Sequence, residues 1–102
     1  MIYVIAEVTL AKGTRTAFLD IFNKLVPAVR TEPGCIEYGP AIDVPTGIRG
    51  LEAPRENVVT IIEKWDSLEA LNTHMTTPHM QQYLQDTKDC VRGKTIRVLG
   101  PA

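Results

Sequence analysis

The stretch that decides the fold runs from Val58 to His79 and reads VVTIIEKW, then DSLEALNTHM, then TTPH. Its first eight residues form an apolar, β-branched run ending in the only tryptophan, which favours a largely buried strand. Alternation along that strand places four side chains on one face: Val59, Ile61, Glu63 and Trp65. A helix is predicted next, and both histidines, His74 and His79, lie at or just beyond its end. The carboxylate of Glu63, the indole of Trp65 and the two imidazoles are therefore predicted to lie near one strand-to-helix junction. Such a group of side chains is expected in a small pocket.

This helix is predicted to be broken into two parts. Asp66 is a candidate N-cap, with Glu69 three residues on as in a capping box. A second start signal, an N-cap threonine followed by proline, stands at 77–78. From there apolar spacing predicts a helix to about Val91, with Gly93 ending it.

The N-terminal third predicts a strand and then a helix. Residues 2–10 alternate with apolar side chains on both faces, which indicates a strand in a sheet covered on both sides. The pattern changes to a helical period from Thr14 to about Arg30, with Thr14 as a possible N-cap. Pro27 lies inside this helix, where we expect a kink or an early end.

Two further strands and a long loop are predicted. Residues 35–44 read as a second strand, in which Gly39-Pro40 suggests a bulge or an edge position. Residues 45–57 are rich in proline and glycine, and either a lid over a pocket or a plain hairpin connection fits them. A last strand is predicted over residues 95–99.

The resulting order is strand, helix, strand, strand, broken helix, strand. This order predicts an α+β, ferredoxin-like fold, in which a four-stranded antiparallel sheet carries its helices on one face. The strands are apolar on both faces, so the helix-free face would be exposed in a monomer. We therefore expect two such sheets to pack together in a homodimer.

Length, composition and charge limit the classes of function that the chain could have. With 102 residues, 44% hydrophobic, the chain fits a single domain over residues 1–102. The formal net charge is −1, without a basic patch, so we expect neither nucleic acid nor membrane as a partner. Cys35 and Cys90 form no CxxC pair, and the N-terminus lacks signal-peptide character. We expect a cytoplasmic protein with two reduced thiols.

Four motifs together resemble the antibiotic biosynthesis monooxygenase family, especially its small bacterial quinol monooxygenases. They are IYVIAE at 2–7, EPGC at 32–35, EKWDS at 63–67 and HMTTPH at 74–79. The most specific part of this resemblance is the pair Trp65 and Ser67, followed by His74 and then by Pro78-His79. The resemblance covers nearly the whole chain and implies a dimeric α/β barrel with one pocket per subunit.

The resemblance also implies a range of chemistry. Family members oxidise quinols or polyketide phenols with molecular oxygen and need no metal, flavin or haem. Others degrade haem, isomerise a phosphorylated dione or have no established activity. The haem-degrading branch differs from this chain at Val8, where it has asparagine, and near Tyr83 and Leu84, where it has a ligating histidine.

The leading hypothesis is a cofactor-independent monooxygenase acting on a quinol or related phenolic compound. Two alternatives stay open: a non-catalytic dimeric module that binds a small molecule or acts in stress response, and an isomerase of a small carbonyl compound. All three use one pocket, but only the enzymes require a base.

His74 is the candidate base, because an imidazole can take and return a proton near neutral pH. The alternative is a helix-end histidine that hydrogen-bonds a carbonyl. Glu63 is the second catalytic candidate, either orienting His74 or sharing its proton, and otherwise a strand-end charge.

Three residues are candidate substrate contacts. Trp65 would offer a flat wall for stacking, or else fill the core. Tyr83 would donate a hydrogen bond to a substrate oxygen, or else be a core residue with its hydroxyl at the surface. His79 would lie at the rim. No metal site is expected, because His74 and His79 are five residues apart, unlike an i, i+4 pair on one helical face.

Overall fold

The computed structural model describes all 102 residues. Its elements are β1 (Ile2–Leu10), α1 (Arg15–Arg30), β2 (Cys35–Ala41), β3 (Val58–Trp65), α2 (Leu68–His74), α3 (Pro78–Thr87) and β4 (Val91–Leu99). The strands pair antiparallel in the order β2-β3-β1-β4, with the helices on one face. This is the expected ferredoxin-like fold. None of the helices combines the length and the apolar character that a membrane span requires.

The core lies between the sheet and the helices. Along β1, Val4, Ala6 and Val8 are buried, and they pair across the sheet with alternate residues of β3: Glu63, Ile61 and Val59. Directly opposite residues of an antiparallel pair share a face, so these side chains form one surface under the helices. The predicted inward face of β3 is therefore confirmed.

Helix α1 supplies most of the core on the other side. Its buried stripe is Phe18, Phe22, Leu25, Val26 and Val29, as the helical spacing predicted. The helix runs past Pro27 to Arg30, so the possible early end does not occur. Burial of the apolar residues on either side of the proline holds the last turn in place.

Several element boundaries differ from the prediction. Strand β2 ends at Ala41 rather than 44, and α3 ends at Thr87, whose hydroxyl donates to the Tyr83 carbonyl. Strand β4 begins at Val91, and Gly93 lies inside it, opposite Thr9. Strand β4 begins this early because of its pairing with β1. The nine residues of β1 offer backbone groups for hydrogen bonds, and β4 pairs with them as far as Leu10.

Two local predictions also need correction. Ser67, rather than Asp66, caps α2, because its hydroxyl accepts a hydrogen bond from the Ala70 N–H at 3.1 Å. Thr14 precedes α1 but makes no capping hydrogen bond, since its hydroxyl donates to the Ala11 carbonyl at 2.7 Å. Neither change alters where the helices lie.

The face of the sheet without helices is open to solvent. Ile62 and Leu99 are 42% and 44% exposed there, so the sheet is not covered on both sides within one chain. The segment 42–57 folds back toward this face. Its Arg55 donates to Asp43 at 2.8 Å and to Glu7 at 3.0 Å. The segment contributes no side chain to the cavity described below.

Candidate active site

An apolar cavity of about 250 Å³ lies between the sheet and helices α2 and α3. Twelve of its 15 lining residues are hydrophobic, so the few polar groups decide what it can do. Register places one row of the floor across the sheet: Tyr38, Glu63, Val4 and Val98. Met75, Leu84, Ile96 and Val98 line the cavity while partly exposed, so they form its rim.

His74 is the last residue of α2 and one wall of the cavity. Its side chain is 1% exposed, and its Nδ1 lies 3.0 and 3.2 Å from the two carboxylate oxygens of Glu32. An ionised carboxylate can only accept hydrogen bonds, so the shared proton belongs to Nδ1. The neutral ring then carries its free electron pair on Nε2.

The Nε2 atom of His74 is accessible from the cavity. It has no hydrogen-bond partner in the protein, and no fully buried side-chain nitrogen or oxygen lacks one. Nε2 is therefore not sealed in the core, and the space that His74 borders is the cavity. This is the orientation that a general base needs.

Glu32 connects the two histidines. It lies two residues after the end of α1, and its carboxylate is only 9% exposed. Oε2 accepts from His74 Nδ1 at 3.0 Å and from His79 Nε2 at 2.7 Å. His79 lies on the outer side, with its side chain 32% exposed, in a groove between α1 and α3. The carboxylate thus joins a cavity residue to a surface residue.

Glu63 and Trp65 form a second polar pair beside the cavity. The indole Nε1 of Trp65 donates to Glu63 Oε1 at 2.9 Å. Burial raises the pKa of Glu63 to about 7, the indole hydrogen bond opposes this shift, and the charge of Glu32 adds to it. Glu63 can therefore hold or release a proton near neutral pH, independently of His74.

Lys94, an exposed residue of β4, and two tyrosines complete the polar lining. Tyr38 and Tyr83 are 2% and 8% exposed, and neither hydroxyl has a protein partner, although no fully buried polar atom is unpaired. Burial, followed by the charge of Glu63, raises the pKa of both phenols, so both stay protonated. Two tyrosines with neutral hydroxyls therefore line the cavity alongside His74, Glu63 and Lys94.

The structure brings together three of the five predicted site residues. His74, Glu63 and Tyr83 line the cavity. The expected hydrogen bond between Glu63 and the His74 imidazole is not formed, and the Glu63 carboxylate instead accepts from the Trp65 indole. Trp65 is fully buried, with its ring centroid 4.7 Å from that of His74, so it lies behind the histidine instead of forming a cavity wall. His79 lies behind Glu32 and outside the cavity.

Sequence reasoning missed Glu32 and Tyr38. Glu32 enters the sequence analysis only within the EPGC motif, without a role of its own, because its partners lie 42 and 47 residues away. Tyr38 was missed because of an irregularity between Cys35 and Glu37, which shifts the alternation of β2. Cys35 and Tyr38 consequently pair with Trp65 and Glu63 on the same face. The Glu-Pro-Gly-Cys motif was the available signal for Glu32.

The site has no obvious set of metal ligands. No group of three or more histidine, cysteine, aspartate and glutamate side chains is placed to hold a metal ion. Cys35 and Cys90 are free thiols, both partly buried.

Comparison with known proteins gives the chain a family. Residues 1–86 match the family described as antibiotic biosynthesis monooxygenase. The chain is 38% identical to "Probable quinol monooxygenase YgiN" of Escherichia coli K12 over 103 aligned residues, covering 99% of this chain and 98% of that protein.

Solved structures agree with this assignment. PA3566 from Pseudomonas aeruginosa superposes with a TM-score of 0.81 at 25% identity, covering 99% of this chain and 93% of that one. Rv0793 from Mycobacterium tuberculosis shares the fold, with a TM-score of 0.79 at 22% identity and coverage of 99% and 94%. From the matched residues and the shared fold, we conclude that this chain belongs to the antibiotic biosynthesis monooxygenase family.

Proposed function

We propose that this protein is a cofactor-independent monooxygenase that oxidises a quinol or a related phenolic compound with molecular oxygen. The observation that carries this proposal is the orientation of His74. Its Nδ1 is held by Glu32 and its Nε2 is accessible from an apolar cavity. The printed name of the E. coli relative, a probable quinol monooxygenase, supports the same substrate class.

The proposed chemistry begins with a proton transfer. His74 Nε2 removes a hydroxyl proton from the dihydroxyarene, and the resulting anion gives an electron to oxygen far more readily than the neutral quinol. The two radicals combine at a ring carbon to give a peroxide. Loss of water from the peroxide leaves a new carbonyl oxygen. Overall, one dihydroxyarene and one O₂ give one hydroxyquinone and one water.

The cavity suits a small flat substrate. Its volume of about 250 Å³ is slightly below the usual range of ligand pockets, roughly 300–1,000 Å³. One or two fused rings fit such a space better than a long-tailed quinol. The neutral hydroxyls of Tyr38 and Tyr83 would hydrogen-bond the substrate oxygens, and the apolar lining would exclude the water that competes for them.

Oxygen uptake tests the proposal directly. Purified, metal-stripped protein would be mixed with reduced one-ring and two-ring quinols, with boiled protein as the background. We expect uptake above background, and its loss in His74→Ala with an unchanged far-UV spectrum. Asn72→Ala, an exposed change in the same helix, is the matched control. Uptake equal to the boiled control across the panel would contradict a monooxygenase role and leave ligand binding as the function of the cavity.

We further propose that one domain spans residues 1–102 and that two copies pair through the helix-free face of the sheet. Ile62 and Leu99 are exposed there, and burying such side chains stabilises an interface. Ile62→Lys should shift the molar mass measured by light scattering from dimer to monomer. Leu68→Lys, at an apolar and more exposed position on α2, should not. A monomeric native protein would contradict this assembly.

A further inference from the structure

Lys94 is the only lysine or arginine among the residues that line the cavity. It lies on β4 directly opposite Val8 of β1, and Val8 is buried under the helices. Because opposite residues of an antiparallel pair point to the same face of the sheet, Lys94 belongs to the face that carries the helices. It is therefore not on the helix-free face that we propose for the dimer, and its exposed side chain is open to ligands.

Register places Lys94 and the candidate base at opposite ends of the cavity. Tyr38 belongs to the row of the floor that crosses β1 at Val4. Lys94 belongs to the row that crosses β1 at Val8, which is four residues farther along the strand. At about 3.3 Å per residue, roughly 13 Å separates the two rows along the strand. The ring of His74 lies 5.4 Å from the ring of Tyr38, so the base is at the other end from Lys94.

A second basic residue lies beside this end of the cavity. The cavity adjoins a groove of about 240 Å³, and four residues line both spaces: Val8, Tyr83, Leu84 and Lys94. Lys88, which directly follows α3, also lines the groove, whereas no acidic side chain does. Neither Lys88 nor Lys94 forms an ion pair with a carboxylate of the chain. Both ammonium groups are thus available to an anion.

We propose that Lys94, with Lys88 beside it, binds an anionic substituent of the substrate, such as a carboxylate, at the end remote from the reacting hydroxyl. This inference rests on the proposed oxidation of a quinol. It narrows the substrate to a two-ring dihydroxyarene that carries its anionic group on the second ring.

The rest of the lining favours this orientation of the substrate. Twelve of the 15 lining residues are hydrophobic, and an unpaired carboxylate among them would lose its hydration at a high cost in free energy. At the Lys94 end, the carboxylate keeps contact with solvent and gains a charged partner. Two fused rings and the long side chain of lysine together cover the distance between this end and His74. The anion therefore also sets which hydroxyl lies next to the base.

The experiment compares 1,4-dihydroxynaphthalene-6-carboxylate with its methyl ester, a neutral compound of similar shape. Anaerobic titration of Trp65 fluorescence gives the two dissociation constants, and oxygen uptake above a boiled control gives kcat/KM for each compound. We expect the native protein to bind the carboxylate more tightly than the ester. Lys94→Met removes the charge, so the ratio of the two affinities should fall roughly fivefold, as for the loss of a favourable exposed ion pair. The ratio of kcat/KM values should fall in parallel.

Two further variants test whether the charge itself is responsible. Lys94→Arg keeps a positive charge and should keep the preference for the carboxylate. Lys24→Met, at an exposed lysine that does not line the cavity, should leave the affinity ratio at its native value. High salt should reduce the preference of the native protein, because it screens an exposed ion pair.

The possible results separate this inference from the proposed function. Oxygen uptake without a preference for the carboxylate would overturn the anion-binding role and leave the oxidation intact. So would a preference that Lys94→Met retains, or one that Lys24→Met lowers equally. Absence of oxygen uptake with both compounds would overturn the oxidation, and the titrations would still decide the anion-binding role. A preference lost in Lys94→Met and kept in Lys94→Arg supports it.

Discussion

The carboxylate of Glu32 accepts a hydrogen bond from Nδ1 of His74 at 3.0 Å, across 42 residues of sequence. Glu32 lies two residues beyond the end of α1 and His74 is the last residue of α2, so two helix ends meet at the edge of the cavity. This contact fixes the tautomer of His74 and leaves Nε2 free to act as a base. The pair follows the logic of carboxylate-oriented histidines in many hydrolases, although the proposed reaction is an oxidation.

Glu32→Gln should reduce kcat for quinol oxidation by roughly a hundredfold. The amide keeps the shape of the side chain and can still accept from His74, but it has no charge to stabilise the imidazolium that forms during proton transfer. KM should stay near the native value, because Glu32 does not line the cavity. Steady-state oxygen uptake measures both constants. Glu69→Gln, an exposed change in α2, is the control, and equal kcat in both variants would contradict the role of Glu32.

Tyr38→Phe should weaken substrate binding without affecting stability. The hydroxyl of Tyr38 has no protein partner, so removing it leaves no donor or acceptor unpaired in the free protein. A lost hydrogen bond to a substrate oxygen costs about 1 kcal/mol, or roughly a fivefold rise in the dissociation constant.

Anaerobic titration of Trp65 fluorescence with a reduced naphthoquinol would measure this change for Tyr38→Phe. Thermal unfolding would show that the fold is retained, because the phenyl ring keeps its packing at 5.4 Å from the ring of Phe22. Identical affinities for native and variant protein would place the substrate oxygen away from Tyr38.

Glu63 should make the protein less stable as the pH rises from about 4.5 to about 7. Burial raises its pKa from the usual 4.5 to about 7, so the folded protein holds the proton more tightly than the unfolded chain. The stabilising effect of protonation is complete below pH 4.5 and is lost as the pH passes through 7. The contribution is on the order of 3 kcal/mol.

Urea unfolding of native protein and Glu63→Gln at pH 4.5, 6 and 8 tests this expectation. The amide oxygen of Gln at position 63 can still accept from the Trp65 indole, and this side chain carries no charge at any of these pH values. We expect the variant to gain stability relative to the native protein as the pH rises. A constant difference between the two would show that Glu63 is not buried as a titrating acid. The exposed Glu69→Gln variant should follow the native pH dependence.

Gly34→Ala should destabilise the protein more than Gly13→Ala. Both glycines have positive φ angles, +85° and +80°, which cost an alanine about 1 kcal/mol. A Cβ at Gly34 would also lie 2.5 Å from Asp66 Oδ1 and 2.6 Å from the Cβ of Ala70, whereas one at Gly13 meets no atom within 4 Å. This close contact should add roughly 1–3 kcal/mol.

Denaturant unfolding of the two glycine variants separates the close contact from backbone strain. Gly34 lies two residues after Glu32 and its carbonyl accepts from the Asp66 N–H at 2.9 Å. We therefore also expect Gly34→Ala to lower oxygen uptake, whereas Gly13→Ala should not. Equal losses of stability in the two variants would mean that the neighbouring helix shifts to accept the methyl group.

The sequence by itself determined the ferredoxin-like order of elements and the inward face of β3. Period-2 alternation and 3.6-residue spacing are local properties, and they identified Glu63 on the core side and His74 at a helix end without any tertiary information. The start signals at Thr77 and Pro78 were also local, and α3 begins there. The choice of His74 as candidate base follows from the same local reading.

Only the tertiary structure decided how the polar groups are connected. The link from Glu32 to both histidines joins residues more than 40 positions apart, which no periodic pattern records. The irregularity in β2 turned Tyr38 into the cavity, and pairing with β1 extended β4 back to Val91. Trp65 was placed behind His74 by the packing of α2 on β3. These outcomes depend on which backbone groups and side chains meet after the chain has folded, so local sequence could not supply them.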